Sequence, residues 1–342
     1  MPGTRAVLLE EPGRYRVVSA EPADPGPGEA RVRVAAAGLC GSDREMYAGT
    51  RPKDYVRYPV VPGHEWSGTV DAVGSGVAAD LVGASVVGEG VRSCLICARC
   101  RAGEPNLCTT GYDETGFTLP GAFSDHLLLP ARMLHVLAPG ADLAAAALLE
   151  PAACVIAGVL RAGLVPAERA AIVGAGTLGM LAAQLVAAYS PAELLVIDPR
   201  RGRAELAERC GATAFRTPDE MRDDAAGHRA GYDAVIECAG APDSARIAAS
   251  LARRGGRVVL TGIPGGEAAG LSPAQLVLDQ LTVATVFSGT PESWATAVRA
   301  FNAGVLDPRP LVTHELSLEE YGEALRLLSG GAPDAGKILL HP

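Results

Sequence analysis

The chain offers no stretch suited to export or to a membrane. Its first residues, MPGTRAVLLEEPG, turn acidic after a handful of apolar positions, so neither a signal peptide nor a spanning helix is expected and the reading is cytoplasmic. Positive charge is scarce as well. There are 30 Lys and Arg against 39 Asp and Glu, a formal net charge of −9, which argues against non-specific binding to nucleic acid or an anionic membrane. Charged residues make up only 20% and hydrophobic ones 48%, too apolar for extended disorder. At 342 residues there is room for two domains, each with its own core.

Cysteine is unevenly placed. Of eight, four crowd into fifteen residues, at Cys94, Cys97, Cys100 and Cys108. Without a secretion signal, that CxxCxxCx7C spacing speaks for a tetrahedral site of four thiolates, with zinc as its ordinary occupant. Four protein ligands leave no position for a substrate, so the expected role is structural. Iron–sulfur clusters use similar spacings, but no second cluster motif flanks this one. Cys154, Cys210 and Cys238 lie in apolar contexts and are expected to be small buried hydrophobes.

A second concentration is glycine, in Ala170 to Gly179, AAIVGAGTLG. An apolar run ending in Gly174, Gly176, Thr177 and Gly179 reads as a strand turning sharply into a helix, where backbone N–H groups meet a dinucleotide pyrophosphate. Nineteen residues past Gly179, at the end of LLVID, Asp198 is placed to accept bonds from the adenosine ribose hydroxyls. Strand-like and helical stretches then alternate (AELAERCGA, YDAVIECAG, DSARIAASLA, GRVVLTG), which predicts a parallel sheet covered on both faces. A carboxylate beside the ribose repels the extra phosphate of NADP and favours NAD, although Arg200, Arg201 and Arg203 stand nearby and arginines in such a turn can hold that phosphate.

Before this region, AVLLE, YRVVSA and ARVRVAAAG read as strands separated by Pro and Gly. They lead to Cys40 in GLCGSD and then to His64 and Glu65 in PGHEWSG. Taken singly, these residues are ordinary core groups. Together they supply the S, N and O donors that a catalytic zinc uses. Glu150, in LLEPAA, ends an otherwise apolar Ala/Leu helix, where a buried charge is costly without a partner and therefore suggests function.

In order, GLCGSD, PGHEWSG, the four-cysteine lobe, LLEP, GAGTLG with Asp198, and GKILL resemble the zinc-dependent medium-chain dehydrogenases, over about residues 4 to 340. GHE followed by LEP is similar to the branch with sorbitol, threonine and other polyol dehydrogenases. YPVVPGHEWSGTV and CTTGYDETGFTLPGAFSDHLLLP resemble dehydrogenases of cyclitols and aminocyclitols. The resemblance implies an α/β architecture. A GroES-like β-barrel catalytic domain would span 1–152, with its zinc lobe near 90–110, and a Rossmann doubly wound parallel-sheet domain 153–286. A return segment, 287–342, would complete the first domain, with the active site in the cleft. It further implies that Cys40, His64 and Glu65 ligate a catalytic zinc, with Glu150 a ligand directly or through water. Leu178, Asp198, Arg203, Thr261, Gly262, Ile263, Val286 and Phe287 would contact the cofactor, and the subunits would form homodimers or homotetramers.

Such parts imply an activity. Zinc lowers the pKa of a hydroxyl from about 16 toward about 7, on the order of 10 kcal/mol of help toward hydride release to NAD. Ser42 is placed to take the hydroxyl proton. Many relatives have a histidine three residues later as the outlet; here it is Glu45, so either Glu45 carries protons or the relay ends in water. Ser288 stands where sorbitol dehydrogenases look to have an arginine, which puts sorbitol itself in doubt. The loop EMYAGTRPKDYVRY, with Tyr47, Asp54, Tyr55 and Arg57, suits a hydroxylated, even cationic, small-molecule substrate. The expected activity is oxidation of a polyol, cyclitol or aminocyclitol, with a threonine 3-dehydrogenase-like or other secondary-alcohol dehydrogenase as the alternative. Zinc-free quinone reductases of the same fold lack Cys40, His64 and the lobe. A non-enzymatic zinc protein does not account for the ribose Asp.

Overall fold

The computed structural model describes residues 3–223, 231–331 and 335–342. These form two compact units, Met1–Glu150 with Thr290–Asn302 and Pro308–Pro342, and Pro151–Gly289 with Ala303–Asp307.

The first unit is built on a seven-stranded sheet. Apolar and polar residues alternate along EARVRVAAAG, so the strand Glu29–Gly38 buries Ala30, Val32 and Val34 on one face. It pairs antiparallel with three others, Glu65–Val73, His126–Pro130 and Lys337–His341. Ser85–Gly88 and Leu134–Val136 extend one side, and Val312–Ser317 joins parallel to Lys337–His341 on the other. Trp66, Phe123, Tyr321 and the aliphatic faces of these strands make the core. The register places Gly38 opposite both Glu65 and Leu339, so strands from the two ends of the sequence deliver side chains to one sheet end.

The second unit is a six-stranded parallel sheet. Its order is Ala214–Arg216, Glu193–Ile197, Arg169–Val173, Tyr232–Glu237, Ala252–Leu260 and Thr282–Thr285. In chain order this is 3-2-1-4-5-6, the doubly wound arrangement, with its switch point where Arg169–Val173 meets Tyr232–Glu237. Past the charged residues Arg169 and Glu193 that begin them, its inner strands Arg169–Val173 and Glu193–Ile197 are apolar and buried, as strands covered on both faces must be.

One sequence expectation changes. Glu150 does not end the Ala/Leu helix; a short helix Leu143–Ala146 stops, and Glu150 lies in the first turn of a new one, Leu149–Ala162. A carboxylate is favoured there by the helix dipole, and Pro151 is tolerated there because first-turn N–H groups have no intrahelical partner. Of the three solitary cysteines, Cys210 and Cys238 are buried whereas Cys154 is half-buried. Among the described residues no helix is long and apolar enough to cross a membrane.

Candidate active site

Cys40 is the N-cap of the helix Gly41–Ala48, where its own N–H donates to Asp43 Oδ2 at 2.8 Å. His64 and Glu65 arrive at the start of the neighbouring strand. One donor atom from each of Cys40, His64 and Glu65 lies within 4.8 Å of the others. Gly38 is required for this, because any side chain there would collide with the Glu65 carboxylate.

Around these three, the charges are arranged for a cation. Asp43, fully buried, directs Oδ1 at His64 Nδ1 across 3.8 Å, too far for a hydrogen bond, and neither atom has another hydrogen-bond partner among the described residues. A carboxylate behind Nδ1 leaves Nε2 as the nitrogen available to a metal and fixes the ring. Burial alone pushes the His64 imidazolium down, yet the negative charges of Asp43, Cys40 and Glu150 together lift it well above its ordinary value. Burial raises the Asp43 carboxyl for the matching reason, that its surroundings hold too little positive charge. A cysteine, a histidine and a carboxylate, backed by an orphaned pair of buried polar atoms, fit a divalent zinc.

Glu65 has a second claimant. Lys337, buried in the strand Lys337–His341, donates from Nζ to Glu65 Oε2 at 2.5 Å and to the Leu39 carbonyl at 3.0 Å. Burial pulls the Lys337 ammonium down, and the charges of Glu65, Cys40 and Asp43 outweigh it and raise it. Glu150 lies outside the three-donor group, although its charge acts on His64. Ser42 and Glu45 are half-buried on the helix Gly41–Ala48 and, three residues apart, share one face of it. The expected 45–58 loop begins only after the helix, because Glu45–Ala48 are its last turn, and the 49–58 segment contributes a residue the sequence did not single out, Arg51. Its guanidinium stacks 3.8 Å from the Phe117 ring centre, and Phe117 in turn packs 4.5 Å from the His64 ring.

In the lobe, the four sulfurs also lie within 4.8 Å of one another, with Cys94 to Cys100 at 3.9 Å and Cys97 to Cys100 at 3.4 Å. A tetrahedron with zinc–sulfur bonds of about 2.3 Å has edges of about 3.8 Å, so the cluster has the size for zinc. Backbone N–H groups turned toward Cys97 hold its thiol down to about 5, while burial pushes Cys100 up to about 11.

In the parallel-sheet unit the three glycines of GAGTLG have three separate reasons. Gly174 has φ +106° and would press a side chain on Ala239; a side chain on Gly179 would strike the Gly174 carbonyl; Gly176 faces open space, where a pyrophosphate can approach the backbone. The helix Thr177–Ala187 begins there, capped by no side chain, and Thr177 and Leu178 are half-buried in its first turn. Asp198 is buried at the end of its strand, accepting from Ala175 N–H at 2.7 Å and from Arg200 Nε and a terminal nitrogen at 2.8 and 2.9 Å. Burial opposes ionisation, but these partners hold its carboxyl below the usual range. Arg203 is buried where the helix Ala204–Arg209 begins, and Val286 and Phe287 are half-buried just past the last strand. Glu237, missed in the sequence, accepts from the N–H groups of Ala239, Gly240 and Gly262, and its carbonyl accepts from Thr261. It thus ties Thr261 and Gly262 to the switch point, while Ile263 is largely exposed.

Comparison with known proteins completes the assignment. Residues 26–139 match the alcohol dehydrogenase GroES-like domain and residues 177–303 the zinc-binding dehydrogenase family. A 2-dehydro-3-deoxy-L-galactonate 5-dehydrogenase of Pseudoalteromonas atlantica is 32% identical over 333 residues, covering 96% of this chain and 95% of that one. The chain belongs to the zinc-dependent medium-chain dehydrogenase/reductase family. A protein from Sinorhizobium meliloti, assigned as a zinc-binding dehydrogenase and solved with NADP, superposes with a TM-score of 0.92 at 30% identity, each chain covered to 99%. The cobalt- and zinc-bound thermostable alcohol dehydrogenase of Pyrobaculum aerophilum gives 0.88 at 29%, again with 99% of each covered. As a medium-chain dehydrogenase, the protein is a zinc-dependent, nicotinamide-linked oxidoreductase acting on a secondary alcohol.

Proposed function

We propose that the protein oxidises a secondary hydroxyl of a polyol, cyclitol or aminocyclitol to a ketone, with NAD as acceptor. The observation that carries the reading is the meeting of Cys40, His64 and Glu65 within 4.8 Å, with Asp43 behind the imidazole. Cys40, His64 and Glu65 would hold the catalytic zinc, and Cys94, Cys97, Cys100 and Cys108 the structural one. When bound, zinc acidifies the substrate hydroxyl and the nicotinamide takes the hydride.

The chain's own residues supply the rest. Asp43 keeps the His64 ring in one orientation. Ser42 accepts the hydroxyl proton, and Glu45, on the same helix face, passes it to water. Lys337 competes for Glu65, which keeps that ligand exchangeable, and Glu150 is the second carboxylate available to the metal. Gly174, Gly176 and Gly179 cradle the pyrophosphate, and Asp198 takes the ribose hydroxyls once Arg200 gives way. Leu178, Arg203, Thr261, Gly262, Ile263, Val286 and Phe287 line the remaining cofactor positions. The carboxylate at 198 supports NAD over NADP. The relative named for a deoxy sugar acid, and the polar 49–58 segment after the helix Gly41–Ala48, support a polyhydroxylated substrate.

The test is NAD reduction across sugars, polyols, cyclitols, aminocyclitols and threonine, with and without a zinc chelator. Turnover of a polyhydroxylated secondary alcohol, lost on chelation, is expected. Activity confined to simple alkanols, or indifferent to chelation, overturns the reading.

A further inference from the structure

Glu237 ends the strand Tyr232–Glu237 at the switch point, 2% exposed, and its carboxylate is satisfied by backbone. Oε1 accepts from the N–H groups of Ala239 and Gly240 at 2.7 and 2.8 Å, and Oε2 accepts from Gly262 N–H at 3.2 Å. The first two donors lie in the turn that leaves its own strand. The third lies in the turn that leaves the neighbouring strand, Ala252–Leu260. One side chain therefore bridges two turns at the carboxyl edge of the sheet.

The two turns touch along glycine backbone. A side chain on Gly262 would collide with the Gly240 nitrogen and press on Glu237 Oε2, and one on Gly240, at φ +58°, would press on the Ile263 carbonyl. The turn 238–240 has other supports: Ala239 lies against Gly174, and Cys238 N–H donates to the Val173 carbonyl at 2.8 Å. The turn 261–263 leans on the acid residue itself. Gly262 N–H is shared between Oε2 and the Glu237 carbonyl, 3.3 Å away, and Thr261 N–H donates to that same carbonyl at 2.9 Å.

A doubly wound sheet takes a dinucleotide as two halves across its switch point. With the ADP end assigned to the glycine turn and Asp198, in the first three strands, the nicotinamide riboside falls to the turns that leave the second three, 238–240 and 261–263 among them. A turn held in place beforehand does not have to be ordered at the expense of binding. We propose that Glu237 is a positioning residue for the nicotinamide half of the cofactor, its carboxylate holding the turn 261–263 on the turn 238–240 before the cofactor arrives. This rests on the reading of the glycine turn as the NAD site.

The experiment measures the binding of NADH and of ADP, which lacks the nicotinamide riboside, to the zinc-loaded protein by isothermal titration calorimetry. Glu237→Gln keeps the shape and one acceptor. With that oxygen on Ala239 and Gly240, its NH2 group meets the Gly262 N–H donor against donor, and the link to 261–263 is lost. The Kd for NADH should rise about 10-fold, the worth of a hydrogen bond to a charged group, and the Kd for ADP by less than about 2-fold. Gly262→Ala keeps the acid and forces the same turns apart, so it should show the same selective loss, and it carries the test if Glu237→Gln folds poorly. Equal weakening of both ligands in the two variants would make Glu237 a general support of the sheet and overturn the inference, as would no change in either. A wild type that binds NADH no more tightly than ADP overturns it too, and leaves the glycine turn standing as a nucleotide site. A wild type that binds neither overturns the NAD reading and the inference together.

Discussion

Asp43 is not one of the three clustered donors, yet the proposed metal site should depend on it. With no hydrogen-bond partner on its Oδ1 among the described residues, its effect on His64 is that of a bare charge at 3.8 Å in a buried place. Asp43→Asn removes the charge and keeps the shape and the helix cap, so zinc affinity, read by competition with a chromogenic chelator, should fall about 10- to 100-fold. An unchanged affinity would reduce Asp43 to its capping role. Asp198 is the corresponding residue of the proposed cofactor site. Its bidentate partner Arg200 is half-exposed and free to swing toward a 2′-phosphate once the carboxylate is neutralised. Asp198→Asn should lower kcat/KM for NAD by about 10-fold, the worth of a hydrogen bond to a charged group, and raise the NADP-to-NAD ratio. Loss of NAD activity with no gain in that ratio would mean the residue only braces the Ala175 turn.

At the scale of elements, local features are the legible ones. The lobe and GAGTLG declare themselves because four ligands, or three glycines, sit within fifteen residues and the backbone alone brings them together. Glu150 reads from sequence as the wrong end of a helix because LAAAALLEPAACVIAGVL is apolar almost without a break; Pro151, tolerated only in a first turn, is the signal that would have corrected it. Lys337 is invisible for a different reason. It lies 272 residues from Glu65, and only the antiparallel pairing of Lys337–His341 with Glu29–Gly38 makes them neighbours. The lobe permits a direct test. Cys97→Ser removes one of the four thiols, one that backbone N–H groups hold down to about 5, so bound zinc, by atomic emission, should drop from two per chain to one, with a lower melting temperature. Retention of two would show that this cluster is not a metal site.

For the molecule as a whole, the exposed rim of the parallel sheet is the feature left unaccounted for by chemistry. Among the described residues Thr282–Thr285 is an edge strand with one side unpaired in the sheet order, and an open edge invites pairing with another chain unless it is covered. Beside it in sequence, the helix Pro273–Leu278 buries no residue and leaves Val277 and Leu278 74% and 68% exposed, although nothing in the catalytic scheme uses them. An edge strand and an adjacent apolar helix end, repeated on a second copy, form a self-complementary surface of the kind a two-fold axis requires. The protein should therefore run as a dimer, or a dimer of dimers, in size-exclusion chromatography with light scattering. Replacing Val277 and Leu278 together by aspartate places two like charges on each side of that axis and should release monomers. A double variant that keeps its mass would locate the subunit contact elsewhere, and a wild-type monomer at micromolar concentration would remove the need for one.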